Sequence, residues 1–151
     1  MATIEPSSRA RRIGFLLIDG FALMSYSAAI EPLRAANLLA RRTLYEIHHI
    51  PAGGASATSS SGAIIKATSR VGEDDKFDLM LVIAGGDPVS FRDVKVFQWL
   101  RTLARRGVRL GGVSGGPVIL AYAGLMKGRR MTVHWEHALA LGEISPRLMI
   151  E

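Results

Sequence analysis

Ser114 lies at the centre of Gly112-Val113-Ser114-Gly115-Gly116, a G-x-S-x-G turn. Between a strand and a helix such a turn is sharp. It strains the central residue and pushes its side chain out above the sheet. The flanking glycines remove clashes with neighbouring elements. The amides that follow, with the helix N-terminus, favour negative charge or a carbonyl oxygen. Two chemistries fit: hydrolysis with Ser114 as nucleophile, or recognition of a small molecule that carries an acceptor. Hydrolysis needs a base for the serine. The candidate base downstream is His134, with His137 behind it. Hydrolases built on this turn place an acid before a distant histidine, and no Asp lies between Ser114 and His134. Recognition is the favoured reading, with Ser114 as a hydrogen-bonding group.

Two further corners belong to the same constellation, Asp19-Gly20 and Gly85-Gly86-Asp87. Each follows a short apolar run. Ile13–Ile18 and Phe77–Ile83 read as buried parallel strands, and Val108–Val113 as the strand before the elbow. Tyr45–Ile50 is a further strand, and Ala63–Thr68 a short edge strand or hairpin arm. Between them Ala52–Gly62, rich in Gly, Ser and Ala, reads as a flexible loop. Helices are predicted over Ser27–Ala40, Phe91–Arg106 and Gly116–Ala123. Pro32 fits the first of these only in its first turn or at a kink. Met131–Val133 and Glu136–Leu141 read as a short strand and a short helix. Strands alternate with helices, so a parallel sheet with helices on both faces is expected. Ligands of such sheets bind at the carboxyl ends of the strands, which is where all three corners fall.

Other residues invite weaker readings. Asp87 before a helix is expected to cap it, or to reach the pocket. Glu31 beside Pro32 suits a helix first turn. His48 and His49, adjacent in a strand, must point to opposite faces, and a solvated edge suits them. His134 and His137 have helical spacing but no third ligand in view, so no metal site is expected. His134 is read as pocket wall and His137 as surface. Trp135 is read as core packing, and Trp99 as lying off the apolar face of its helix.

The chain has 151 residues, 48% of them apolar, which is enough for one packed domain. It has no cysteine, so disulfides and Cys-based metal sites are excluded. The opening residues are polar and lack the apolar core of a signal peptide, and no apolar run approaches a membrane span. A cytoplasmic location is expected. The net charge is +6 and the isoelectric point about 10.3. The excess sits in arginine pairs, Arg11-Arg12, Arg41-Arg42, Arg105-Arg106 and Arg129-Arg130, near the ends of predicted elements. Charge is readily solvated there, and no nucleic-acid-binding motif is readable.

The corner Ala84-Gly85-Gly86-Asp87, the elbow, and the pair His134-Trp135 occur in that order. With them stand Gly20-Phe21-Ala22-Leu23-Met24-Ser25, Glu31-Pro32-Leu33-Arg34-Ala35-Ala36-Asn37 and Met131-Thr132-Val133-His134-Trp135. Together these resemble the DJ-1/PfpI superfamily, and within it the sensor domain of GlxA-type regulators of the AraC family. The resemblance runs from about Arg12 to the C-terminus. It implies a flavodoxin-like three-layer α/β sandwich and a ligand site near Ser25, Glu31, Gly85, Gly86, Asp87, Ser114, Gly115 and His134. Enzymes of the superfamily carry a nucleophilic cysteine at the elbow, with an acidic residue close by on the first helix. Here the elbow residue is Ser114, and Ser25 or Met24 falls at the acidic position. Serine lacks the low-pKa thiolate that makes the cysteine reactive.

The expectation is a non-catalytic domain over residues 12–151, preceded by a disordered basic tail over residues 1–11. It senses a small metabolite, amino-acid-like or betaine-like by analogy. It needs no cofactor, forms a homodimer, and touches DNA only through a region outside this chain. Relative to the family pattern, the last strand and helix of the sensor domain and the DNA-binding helices are expected to be missing. The competing expectation is a hydrolase or lyase that uses Ser114 and His134.

Overall fold

The computed structural model describes residues 9–74, 76–144 and 149–150. Four strands form the central sheet: β1 (Arg11–Leu17), β2 (Tyr45–Pro51), β5 (Leu79–Ala84) and β6 (Arg109–Ser114). They lie in the order β2-β1-β5-β6, and every pairing is parallel. The inner strands β1 and β5 are near-continuous apolar runs because both their faces are covered. Phe15, Leu16, Leu17, Val82 and Ile83 are fully buried. The helices are α1 (Leu23–Ala40), α2 (Val94–Arg105), α3 (Gly116–Tyr122) and α4 (Trp135–Ile144). Apolar residues of α1 gather with Phe15, Leu17 and Ile83 on one side of the sheet. Those of α2 and α3 gather with Leu16, Met80 and Val82 on the other. The expected three layers are present.

A hairpin of β3 (Ser56–Thr58) and β4 (Ile64–Lys66) follows β2, and β7 (Arg130–Met131) pairs in parallel with β8 (Met149–Ile150). The hairpin corrects the reading of Ala52–Gly62 as a flexible loop. Its first arm is ordered by neighbours rather than by composition. Asp19 accepts from Thr58 N–H at 2.8 Å, Gly20 N–H donates to Thr58 O at 2.8 Å, and Ser60 N–H donates to Phe21 O at 2.9 Å. Ala57 and Ser59 are buried as a result.

Helix α1 begins four residues before Ser27 and has no side-chain cap at Ala22. Tyr26 explains the early start. It is the buried residue of α1 and packs edge-to-face on Phe15 and Phe21 at 5.8 and 5.6 Å, which fixes the first turn against the sheet. Pro32 therefore sits in the helix interior, on the exposed side. In α2 the cap is Asp93, which accepts from Lys95 and Val96 N–H, whereas Asp87 makes no capping bond. Trp99 is buried, contrary to the off-face expectation: it lies three residues from Val96 on the same stripe and meets Phe77 edge-on at 6.4 Å.

The start of β1 is held by charge. Arg12 reaches Asp74 at 2.5 Å and lies 5.3 Å over the Phe77 ring, and Arg9 reaches Asp78 at 2.6 Å. Of the tail expected over residues 1–11, Arg9, Ala10 and Arg11 are therefore ordered; residues 1–8 lie outside the described residues. Hydrogen bonds from these guanidinium groups hold both carboxyl groups below their usual range.

His48 and His49 lie on β2, at the end of the four-stranded sheet, and point to opposite faces, as their adjacency requires, but both are half-buried rather than solvated. His48 lies by Glu46 and meets the Phe77 ring at 5.5 Å, while His49 Nε2 is 3.0 Å from the Tyr26 hydroxyl. Burial, with a smaller contribution from neighbouring His48, lowers the His49 pKa below 6.5. The folded chain then binds fewer protons than the unfolded chain just below that value. The stabilisation from neutral His49 is present above pH 6.5 and is lost as pH falls through that value toward the lowered folded pKa. Melting curves from about pH 7 to about pH 5.5 should show a steeper loss of Tm in the wild type than in His49→Gln, because glutamine cannot titrate.

Candidate functional site

The elbow has the strain that its sequence requires. Ser114 ends β6 with φ 56°; Arg41, which closes α1, is the other non-glycine residue at positive φ among the described residues. Ser114 holds this conformation because its surroundings leave no alternative. A methyl group at Gly116 would lie 2.0 Å from Val82 O, and one at Gly112 would lie 2.4 Å from Pro117 N. The turn is so tight that α3 starts directly against β5 and β6. Such a residue stores about 1–3 kcal/mol. Ser114→Gly should therefore raise unfolding stability by about 1 kcal/mol, read by urea denaturation. No gain would mean that the turn is relaxed.

The corners converge as the parallel order demands. Ala84 is in register with Ser114, and Gly115 N–H donates to Ala84 O at 3.0 Å. That bond ties the two corners together, and it also uses a donor that the sequence reading left for a ligand. Pro88, just after Gly85-Gly86-Asp87, is buried against Gly115. Gly85 brings in the loop after β1: a methyl group there would lie 2.9 Å from both Ala22 N and Gly20 O. The carboxyl ends of β6, β5 and β1, with the hairpin beyond them, thus form one continuous row. Gly85, Gly86, Asp87, Ser114 and Gly115 stand in that row, and Ser25 lies half-buried in the first turn of the helix leading from it.

The remaining expected site residues are placed differently. Glu31 is exposed and pairs with Arg34 at 2.6 Å. His134 is exposed, with Nδ1 3.6 Å from Glu136, and its ring lies 5.6 Å from Trp135. His137 is buried. The surface role expected for His137 is therefore corrected, because α4 packs against α3 through Leu141, Val118 and Met131 and turns His137 inward. Trp135 is 78% exposed rather than core. Ser114 Oγ has no side-chain hydrogen bond among the described residues, and none joins it to His134. A serine without a bonded base is a weak nucleophile. Nor is there a cluster of three or more metal-ligating side chains among the described residues. The sequence reading missed the lacing of the hairpin to the row through Asp19 and Phe21. Asp19-Gly20 marked the corner but not its partner.

A cavity of about 920 Å3 lies elsewhere, at the amino end of β6 beside Leu79, Val108 and Arg109. The chemistry favours the carboxyl ends, where the strained residue and the glycine corners meet.

An open parallel sheet with a strained elbow at the end of β6 defines an α/β domain of the nucleophile-elbow type. The chain belongs to the DJ-1/PfpI family, whose model matches residues 11–146. It is 47% identical over 149 residues to the HTH-type transcriptional regulator GlxA of Rhizobium meliloti, covering 98% of this chain and 46% of that protein. It is 41% identical over 136 residues to the HTH-type transcriptional regulator CdhR of Pseudomonas aeruginosa, covering 90% and 40%. The crystal structure of an AraC family transcriptional regulator from Pseudomonas putida superposes with a TM-score of 0.80 at 26% identity, covering 93% of this chain and 76% of that one. The chain thus spans less than half the length of the two regulators. The resemblance to transcriptional regulators of this family, and the expected fold, are borne out.

Proposed function

We propose that this chain is the ligand-sensing portion of a transcription regulator, and that it binds a small metabolite at the row formed by Gly85-Gly86, Ser114 and the first turn of α1 without transforming it. The observation that carries the reading is Ser114 itself. It is held at positive φ in a family elbow, yet it carries no thiol and has no bonded base among the described residues. The similarity to GlxA and CdhR supports the regulatory role. A ligand with a carboxylate suits the hydroxyl and glycine amides of the row, and amino-acid-like or betaine-like compounds are the first candidates. Binding would bias a homodimer in the cytoplasm and be reported to a DNA-binding region outside residues 1–151. Domain limits of 12–151 for the sensing unit go with this reading. No helix among the described residues is long and apolar enough to cross a membrane.

Thermal-shift screening against small carboxylates tests the proposal. A true ligand at a hundredfold excess over Kd adds about 2.7 kcal/mol, or about 5–10 °C in Tm for a chain of this size. Ser114→Trp should abolish the shift. If no compound stabilises the wild type, the sensing role fails. Catalysis by Ser114 is the rival reading, favoured by the strained elbow alone. Labelling by a fluorophosphonate probe that Ser114→Ala abolishes would establish it.

A further inference from the structure

The four arginine pairs of the sequence gather at one end of the fold. In a parallel α/β chain the strands begin, and the helices before them end, on the same side of the molecule. Arg11-Arg12 opens β1. Arg41-Arg42 follows α1 and leads into β2, whose first residue, Tyr45, is in register with Arg11. Arg105-Arg106 closes α2, and Arg109 opens β6 in register with Leu79 and, through it, Ile13. Arg129-Arg130 stands where the loop after α3 enters β7, and Arg129 lines the same cavity as Arg109. Arg109 in turn borders a second cavity together with Arg11. The cations are therefore neighbours in space, at the end of the sheet opposite the glycine row.

Carboxylates beside β1 are already engaged: Asp78 by Arg9, and Asp74 and Glu46 by Arg12. Arg41, Arg42, Arg109, Lys127 and Arg129 are exposed and form no ion pair among the described residues. A helix C-terminus attracts a cation in its last turn, which accounts for Arg105 on α2. It does not account for Arg109 in a strand, or for Lys127 and Arg129 in a loop. What is left is a positive surface with no internal partner. The amino ends of β2, β1, β5 and β6 span about 14 Å at the usual strand spacing, which is comparable with the roughly 12 Å major groove that separates two phosphate rows of duplex DNA. A second copy of the chain would bring the same cations to the same place, so like-charge repulsion opposes it.

We propose that this end of the domain binds the phosphate backbone of duplex DNA through Arg41, Arg42, Arg109, Lys127 and Arg129. Such contacts position a protein on DNA and carry no sequence information. Base reading stays with the region outside residues 1–151, and the ligand row at the opposite end of the sheet remains open while DNA is bound. The choice of DNA as the polyanion rests on the regulator reading; the positive surface does not.

Fluorescence anisotropy of a short labelled duplex of mixed sequence, titrated with the 151-residue chain, tests the contact. Five phosphate contacts give log affinity a slope of about −4.5 against log salt, so binding should weaken roughly 500-fold between about 50 mM and about 200 mM salt. Arg109→Ala/Arg129→Ala and Arg41→Ala/Arg42→Ala should each weaken binding by about tenfold or more and lower the slope by about 2, with circular dichroism unchanged. Arg109→Lys/Arg129→Lys keeps the charge and should bind like the wild type. Lys66→Ala/Lys95→Ala removes as much charge from β4 and the start of α2 and should have little effect. No binding at low salt overturns the proposal. So does equal weakening by Lys66→Ala/Lys95→Ala, which would assign the binding to net charge alone, or tighter binding of a poly-glutamate peptide than of the duplex. If DNA binding fails while a carboxylate still raises Tm, this contact falls and the sensing role stands.

Discussion

Gly116→Ala is expected to cost about 3 kcal/mol or more, lowering Tm by about 6–12 °C in a chain of this size. The added methyl group would lie 2.0 Å from Val82 O and 2.9 Å from Val82 C. Both are backbone atoms of β5, a strand held in register on each side by β1 and β6. No rotamer change relieves that clash; either α3 lifts away from the sheet or β5 shifts within it. Val118, Ile119 and Leu120 are all buried on α3, so lifting the helix opens the core. The experiment is urea unfolding of wild type and variant with equal attention to the m-value. A loss below about 1 kcal/mol would mean that the elbow is looser than the geometry states. Paired with Ser114→Gly, which should act in the opposite direction, the two substitutions separate a strained residue from a crowded one in the same turn.

Phe21→Ala is the second large effect, with an expected loss of about 3–5 kcal/mol. Phe21 is fully buried and packs edge-on against Tyr26 at 5.6 Å. Its carbonyl accepts from Ser60 N–H, and its backbone bridges to Ser59. One residue thus joins α1, the hairpin and the pocket row. Removing the ring leaves a cavity at that junction, and the loss should spread unevenly. Amide exchange over β3 and β4 should accelerate more than over β5, whose core contacts do not involve Phe21 alone. Uniform acceleration would show that the hairpin has no local stability of its own to lose.

What was legible in the sequence follows from how local each signal is. β1 and β5 are apolar on both faces, so their runs read directly as parallel strands. The elbow was readable because Gly112, Ser114 and Gly116 are needed by the turn itself. The hairpin was not, because Thr58 is held by Asp19 and Gly20 and the adjoining Ser59-Ser60 by Phe21, partners remote in sequence, while its own Ala, Ser and Thr resemble a loop. The start of α1 was hidden for a related reason: it has no capping side chain and no acidic residue in its first turn, and Tyr26 sets it by packing. Trp99 was misplaced by too narrow an apolar stripe. The buried face of α2 takes in Val96, Phe97, Trp99, Leu100 and Leu103. The burial of His137 was hidden because the direction in which α4 faces depends on α3, not on sequence spacing.

The elbow keeps the backbone of a catalytic turn without, among the described residues, a base bonded to its central hydroxyl. Recognition without turnover is therefore the central claim. Ligand-observed NMR tests it most directly, with a carboxylate metabolite selected by thermal shift and held with the 151-residue chain over hours. The expected result is saturation transfer to the compound, lost in Ser114→Trp, with the compound's own spectrum unchanged throughout. New product resonances that disappear in Ser114→Ala would contradict the account.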